Sequence, residues 1–237
     1  MKRMTFARAV FVVGLVTLAG LGAKRTATRN VAQMADAATR FLGSLPAAQR
    51  SQASFAFDAT ERFRFHFVPT EAYPRRGLTI AEMGQAQRER AHELLRTGLS
   101  QRGYMTATQI MEAEGILRLL EGGRGQFARD PQQYYVSVFG TPSTSGSWGW
   151  RFEGHHLSLQ FTVVEGAITV SSPTFLGANP AEVPDGPRRG MRALARQEDA
   201  GRALLGSLDA EQRQAAIFQE VAPEEVVARV ALDPDPL

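Results

Sequence analysis

Residues 148–161, WGWRFEGHHLSLQF, gather the side chains best suited to chemistry: Arg151, Glu153, His155 and His156, together with both tryptophans of the chain. Imidazole and carboxylate groups this close suit two kinds of chemistry. One is a metal centre. His155, His156 and Glu153 offer two or three donors of the kind zinc, iron or manganese accepts, so a divalent metal ion is the cofactor the set implies. A further ligand has to come from elsewhere, and His66 is the distant candidate; no H-x-x-x-H or H-E-x-x-H spacing is present. The other is acid–base catalysis on a small molecule. There His156 beside Glu153 is an oriented base, and Arg151 holds an anionic group of the substrate. Ser158 shares their face, but a Ser-His pair along one strand lacks the third group and the oxyanion hole of a nucleophilic triad. The competing expectation is a polar face without catalysis, the ligand or partner surface of a cell-envelope binding or scaffold protein.

These residues need a β-strand to position them. Trp148, Trp150 and Phe152 are apolar at even positions, whereas Leu157, Leu159, Phe161 and Val163 are apolar at odd ones. Side chains alternate along a strand, so a β-bulge at Gly154–His155 is expected to absorb the change of phase. The other face then carries Arg151, Glu153, His156, Ser158, Gln160 and Thr162. Glu165–Gly166 reads as a two-residue hairpin turn. Counting back from it predicts the pairs Val163–Ile168, Phe161–Val170, Leu159–Ser172 and Leu157–Thr174, with Thr162–Thr169, Gln160–Ser171 and His156–Phe175 on the opposite face. Pro173 cannot donate to the ladder and marks an edge or a bulge.

Around this hairpin the spacing predicts helices. Met34, Ala37, Ala38, Phe41, Leu42 and Leu45 recur at helical period, Ala47–Phe55 forms a short second helix, and Ile80–Leu99 an amphipathic third. His92 in that third helix reads as a satisfied or surface histidine. Thr106-x-x-Gln109 fits a capping box opening a helix with Ile110, Ala113, Leu117 and Leu120 on its core face. Gly122, Gly123 and Gly125 close it; GGRG lacks the Lys-Ser/Thr of a phosphate loop. Phe63, Phe65 and Phe67 alternate with Arg64 and His66 as a half-buried strand with those two on a solvated face, and Tyr134–Phe139 is another strand. Residues 189–205 read as a helix, Asp209-x-x-Gln212 caps the next, and Pro223 opens a last one. The fold class is therefore α+β: an antiparallel sheet built on the 148–176 hairpin, with helices packed on one face.

Composition narrows the partners. Lys2, Arg3 and Arg8 stand among the first 23 residues, which hold no acid, so the rest of the chain is neutral, with 24 basic and 24 acidic residues. A neutral body without a basic run argues against nucleic acid. The absence of cysteine removes disulfides, thiolate metal sites and cysteine nucleophiles. The basic start followed by the apolar run Ala9–Ala23 reads as a signal peptide or N-terminal anchor over 1–23, too short for an ordinary membrane span. It is followed by a linker over 24–33 and a single α+β domain over 34–237. The expected protein is exported, periplasmic or extracellular, touching membrane only through the N-terminal segment, with a small-molecule ligand as its implied partner.

One stretch occurs twice. DAATRFLGSLPAAQRSQASF (36–55) aligns without gaps on DAGRALLGSLDAEQRQAAIF (199–218), an offset of 163 that is too long for a solenoid. A duplicated helix–turn–helix element packing on the sheet from two places is expected. Finally, WGWRFEGHHLSLQF with SPTFLGANPA at 172–181, Gln49-Arg50, R-x-G-L at Arg75–Leu78 and LLGSLDAEQR at 204–213 resemble the bacterial family called domain of unknown function 3500. The resemblance covers nearly all of the chain after the leader. It implies no activity, since none is assigned to the family, but it implies that members run longer, with a C-terminal part able to supply partners to Glu153, His155 and His156. On that basis the present chain is expected to be C-terminally truncated.

Overall fold

The computed structural model describes residues 30–221; the expected leader, most of the expected linker and the helix expected from Pro223 lie outside them. Helix α1 (30–43) already runs at residue 30 and buries Val31, so 30–33 belongs to a helix and not to a linker. Its stripe Val31, Met34, Ala38, Phe41, with Leu45 after it, is fully buried, as a 3.6-residue period facing a core requires. Then follow α2 (Ala47–Ala53), β1 (Ser54–Phe55), β2 (Leu78–Thr79), α3 (Gln85–Gly98), α4 (Gln101–Leu120), β3 (Tyr135–Phe139), β4 (Trp148–Gly154), β5 (Leu157–Val164), β6 (Ala167–Val170), β7 (Phe175–Leu176), α5 (Ala195–Ser207) and α6 (Ala210–Ala216). The class is α+β. No described helix is long and apolar enough to cross a membrane.

The seven strands form one sheet in the order β1-β3-β4-β5-β6, with β2 on β3 and β7 on β5; every pairing is antiparallel except β1 with β3. One face is apolar. Val136, Val138, Trp148, Trp150, Phe152, Leu157, Leu159, Phe161 and Val163 form a single core with residues of α1, α3 and α4. Trp150 stacks on Phe161 at 4.4 Å between ring centroids. The C-terminal end of α3 lies directly on that pair: a Cβ on Gly98 would come within 2.6 Å of Phe161 and 2.8 Å of Trp150.

The phase change at 154–157 has a different origin from the bulge expected. Gly154 pairs with Leu157, so His155–His156 is a two-residue turn and residues 148–164 are two strands. A two-residue turn sets even positions opposite odd ones, which puts Trp150 beside Phe161 and Phe152 beside Leu159 on one face. As one strand the stretch would extend roughly 55 Å, far beyond an ordinary strand; folded back, both halves share the core. The 165–166 turn is as expected, with positive φ at Glu165 (50°) and Gly166 (75°) and Val163 paired with Ile168. Beyond it the register shifts between Thr162 and Val163, so Thr162 meets Val170, and β7 sets Leu157 against Leu176 and Ser158 against Phe175. Pro173 falls in the gap between β6 and β7.

Three other expectations change. Helix α4 opens at Ser100, whose hydroxyl accepts from the Gly103 N–H at 3.1 Å, and Thr106 is buried within it; the capping-box pattern at 106–109 lies inside the helix. The 80–99 helix is split into a short 3-10 turn (Ile80–Glu82) and α3. Residues 64–67 join no strand, for reasons that lie in the polar face of the sheet. Gly98 has no room for a side chain between α3 and the stacked pair Trp150–Phe161. Gly98→Ala is expected to lower stability by about 1–3 kcal/mol through overpacking against Trp150 and Phe161, read as a lower urea midpoint at unchanged m-value.

Candidate functional site

The residues singled out by sequence separate into two places. Ser137, Arg151 and Gln160 lie side by side across β3, β4 and β5 on the polar face, next to Glu153 and Ser158. None is open to solvent: Arg151 is 0% exposed and Glu153 2%. A segment formed by residues 57–76 covers them. Arg151 donates from Nη1 to the Glu61 and Arg64 carbonyls at 2.8 Å each and from Nη2 to the Glu61 carboxylate at 2.7 Å. Gln160 donates to the Arg62 carbonyl at 2.5 Å and Ser137 to the Arg76 carbonyl at 3.3 Å. The backbone carbonyls of 61, 62 and 64 are thus satisfied by side chains of the sheet face, which is why the alternating RFRFHF run forms no strand. Arg64 turns back to the Tyr73 hydroxyl at 2.9 Å, and His66 Nδ1 accepts from the Phe67 and Val68 N–H groups, so neither stands on a solvated strand face.

Glu153 completes a buried ion cluster. Its carboxylate lies 2.8 Å from Arg151 Nε and 3.6 Å from Arg75 Nε. Arg75, fully buried at its side chain, also donates to the Val68 carbonyl at 2.7 Å and the Gly154 carbonyl at 3.2 Å. Burial pushes the Glu153 carboxyl up, against the pull of Arg151 and Arg75, and burial likewise draws Arg75 down against the pull of Glu153. Two guanidiniums facing the carboxylates of Glu61 and Glu153 balance in charge. Arg151 and Glu153 therefore hold a segment to the sheet and are closed to a substrate.

The two histidines sit at the tip of the β4–β5 hairpin, where three of their main-chain groups are bonded to other parts of the chain. Tyr134 donates its hydroxyl to the His155 carbonyl at 2.9 Å, His156 N–H donates to the Phe67 carbonyl at 2.8 Å, and Gly177 N–H donates to the His156 carbonyl at 2.8 Å. His156 has φ 57° and its ring lies 4.0 Å from that of His155. Burial first, then the charges of His155 and Arg129, pushes the His156 imidazole down to about 4, so it is neutral at pH 7.

His155 has a different partner from the one expected. Its Nδ1 lies 2.5 Å from the Glu114 carboxylate, on the core-facing stripe of α4 between Ile110 and Leu117. Arg129, at φ 51°, has Nη1 3.5 Å from the same Nδ1 while its other nitrogens hold Glu121 at 2.8–3.2 Å. Glu114 is the nearer of the two partners of Nδ1. Beside this pair is a cleft of about 10 Å³ lined by Thr70, Glu71, Phe127, Arg129 and Asp130, with room for about one water. Glu153 is not part of it. Among the described residues no group of three or more His, Cys, Asp or Glu side chains is placed to hold a metal ion, so His155, His156 and Glu153 do not form the expected ligand set. Glu114 was missed in the sequence although it carried a signal: an acid in the apolar stripe of an amphipathic helix. His92 is a satisfied histidine, with Nδ1 3.0 Å from the Tyr104 hydroxyl.

Two consequences can be measured. Glu153→Ala leaves Arg75 and Arg151 buried without their shared carboxylate and is expected to cost about 3–5 kcal/mol in denaturant unfolding. A neutral His156 in the fold binds fewer protons than the unfolded chain between about pH 6.5 and pH 4. Stability from this group is therefore whole above pH 6.5 and lost as pH falls toward 4. His156→Asn, which tolerates positive φ and does not titrate, should flatten that part of the thermal stability profile.

No curated protein and no solved structure matches the chain. The model of one family, Protein of unknown function (DUF3500), matches residues 27–233, and with that the chain belongs to the DUF3500 family.

Proposed function

We propose that the protein acts by proton transfer on a small polar molecule at His155, with Glu114 as the residue that orients the ring. The observation carrying this reading is the 2.5 Å contact between His155 Nδ1 and Glu114 in a setting where both side chains are about nine-tenths buried. A carboxylate on Nδ1 fixes the tautomer and leaves Nε2 as the acceptor, the arrangement a general base needs. The adjoining cleft is sized for a water or a single hydroxyl, the group such a base deprotonates. His156 stays neutral beside it, so no second imidazolium competes for the carboxylate. Metal assistance through Glu153 is not part of this reading, because Glu153 belongs to the ion cluster under the 57–76 segment. The basic and then apolar pattern of residues 1–23 supports a cell-envelope location.

A second reading, a non-catalytic binding or scaffold protein, is favoured by one observation. The groove between the end of α4 and residues 185–188 is about 710 Å³, far larger than the cleft at His155, and is lined by Ile116, Leu119, Leu120, Pro131 and Pro187.

NMR of histidine rings and of isoleucine and leucine methyl groups during a screen of small hydroxylic and anionic molecules separates the two. On the first reading, ligands shift the His155 ring resonances and Glu114→Gln weakens them at least tenfold. Ligands that perturb only the groove residues and leave His155 unmoved would sink it and support the second.

A further inference from the structure

The second copy of the duplicated stretch closes its turn as the first does. Ser207 donates to the Leu204 carbonyl at 2.7 Å, as Ser44 donates to the Phe41 carbonyl at 2.7 Å. Expected to pack on the sheet from another place, this copy buries no residue of α5 or α6. It borders a cavity instead. Ala193, packed against the core just before α5, sets the start of that helix beside the first turns of α4. The space left between the two helices is about 490 Å³, within the range of small-molecule sites.

Three arginines line this cavity and no carboxylate does. Arg192 is engaged, holding Glu198 at 2.6 Å and Asp199 at 2.8 Å. Arg102 on α4 and Arg196 on α5 have no side-chain partner among the described residues. The start of α5 lies with them: no side chain caps it, and residues 195–197 of its first turn line the cavity. Thr106 is an independent sign of a ligand. It is 9% exposed and lines the cavity, and its hydroxyl has no partner among the described residues. A threonine inside a helix can return its hydroxyl to a carbonyl of the preceding turn, as Thr39, Thr97 and Thr108 do at 2.6–3.1 Å. A hydroxyl left free in so closed a position calls for a partner the chain does not provide.

We propose that the cavity between α4 and α5 binds a small organic phosphate. Guanidinium forks match phosphate oxygens in geometry and charge, and a helix N-terminus favours an anion beside it. Arg102, Arg196 and Thr106 offer a donor to each of the three terminal oxygens of a phosphate monoester, where a carboxylate has only two oxygens to take them. Met105, Ala193 and Ala200 supply an apolar wall for the organic part. The cavity shares no lining residue with the His155 cleft or with the groove at the end of α4, so its test does not depend on what happens at either.

The test is calorimetric titration of the full chain with phenyl phosphate, and with benzoate, which lacks the third oxygen. Arg102→Gln, Arg196→Gln and Thr106→Val are compared with Arg118→Gln, an exposed arginine outside the cavity. The three arginines are exposed and Thr106→Val keeps its shape, so folding is not at risk, and circular dichroism checks it. The expected result is saturable binding of phenyl phosphate that weakens about tenfold in either cavity-arginine variant and about fivefold in Thr106→Val, and is unchanged in Arg118→Gln. No saturable binding up to about 10 mM would overturn the proposal. So would equal affinity for benzoate, or a loss that Arg118→Gln shares, which would mark unspecific attraction to positive charge.

Discussion

The arrangement depends on one guanidinium. Arg151 stands at the centre of the polar face of the sheet, completely buried, and spends its donors on two carbonyls and a carboxylate of the 57–76 segment. An arginine cannot shed its charge, so burying it demands acceptors on every side. Glu61 and Glu153 supply the opposing charge, and Arg75 balances the second carboxylate. The consequence reaches the hairpin tip, because the segment so held delivers the Phe67 carbonyl that fixes His156 and the Val68 carbonyl that anchors Arg75. The polar side of the sheet is thus a second interior, built from ions and carbonyls where the other side is built from tryptophan and leucine.

What the sequence showed well was apolar patterning. The stripe of α1, the Ile110, Ala113 and Leu117 positions of α4 (Leu120, expected with them, is exposed), the strand at 134–139, the Glu165–Gly166 turn and the sharing of one core face by Trp150 and Phe161 all follow from spacing alone. What it could not show was where polar residues find partners. Alternation in RFRFHF looks like a strand because side-chain period cannot reveal that carbonyls of the segment are claimed by Arg151 and Gln160. A change of phase at Gly154–Leu157 is compatible with a bulge or with a two-residue turn; the dipeptide His155–His156 lacks the Asn-Gly or Gly-Gly chemistry that would have named the turn. Length carried the missing information, since seventeen residues exceed any ordinary strand.

For the candidate site the same limit operated more severely. Arg151, Glu153, His155 and His156 are neighbours along the chain, and proximity in sequence suggested one constellation. The strand places them by parity and by the turn: Arg151 and Glu153 go beneath the segment, while the histidines go to the tip. The partner that matters to His155, Glu114, is 41 residues away on a helix whose register alone brings it there. An acid on an apolar stripe was the readable clue, and it pointed to burial with a partner without naming which.

The manner in which the 57–76 segment is held has an evolutionary consequence. Arg151 and Gln160 recognise main-chain oxygens at 61, 62 and 64, and only Glu61 contributes a side chain to that grip. Main-chain oxygens are the same for almost every residue type. The segment can therefore drift at Arg62, Phe63 and Phe65 while its course across the sheet is preserved, whereas the receptor residues on the strands have no such freedom. Divergence in this part of the molecule should be lopsided, with a permissive strap crossing an inflexible floor.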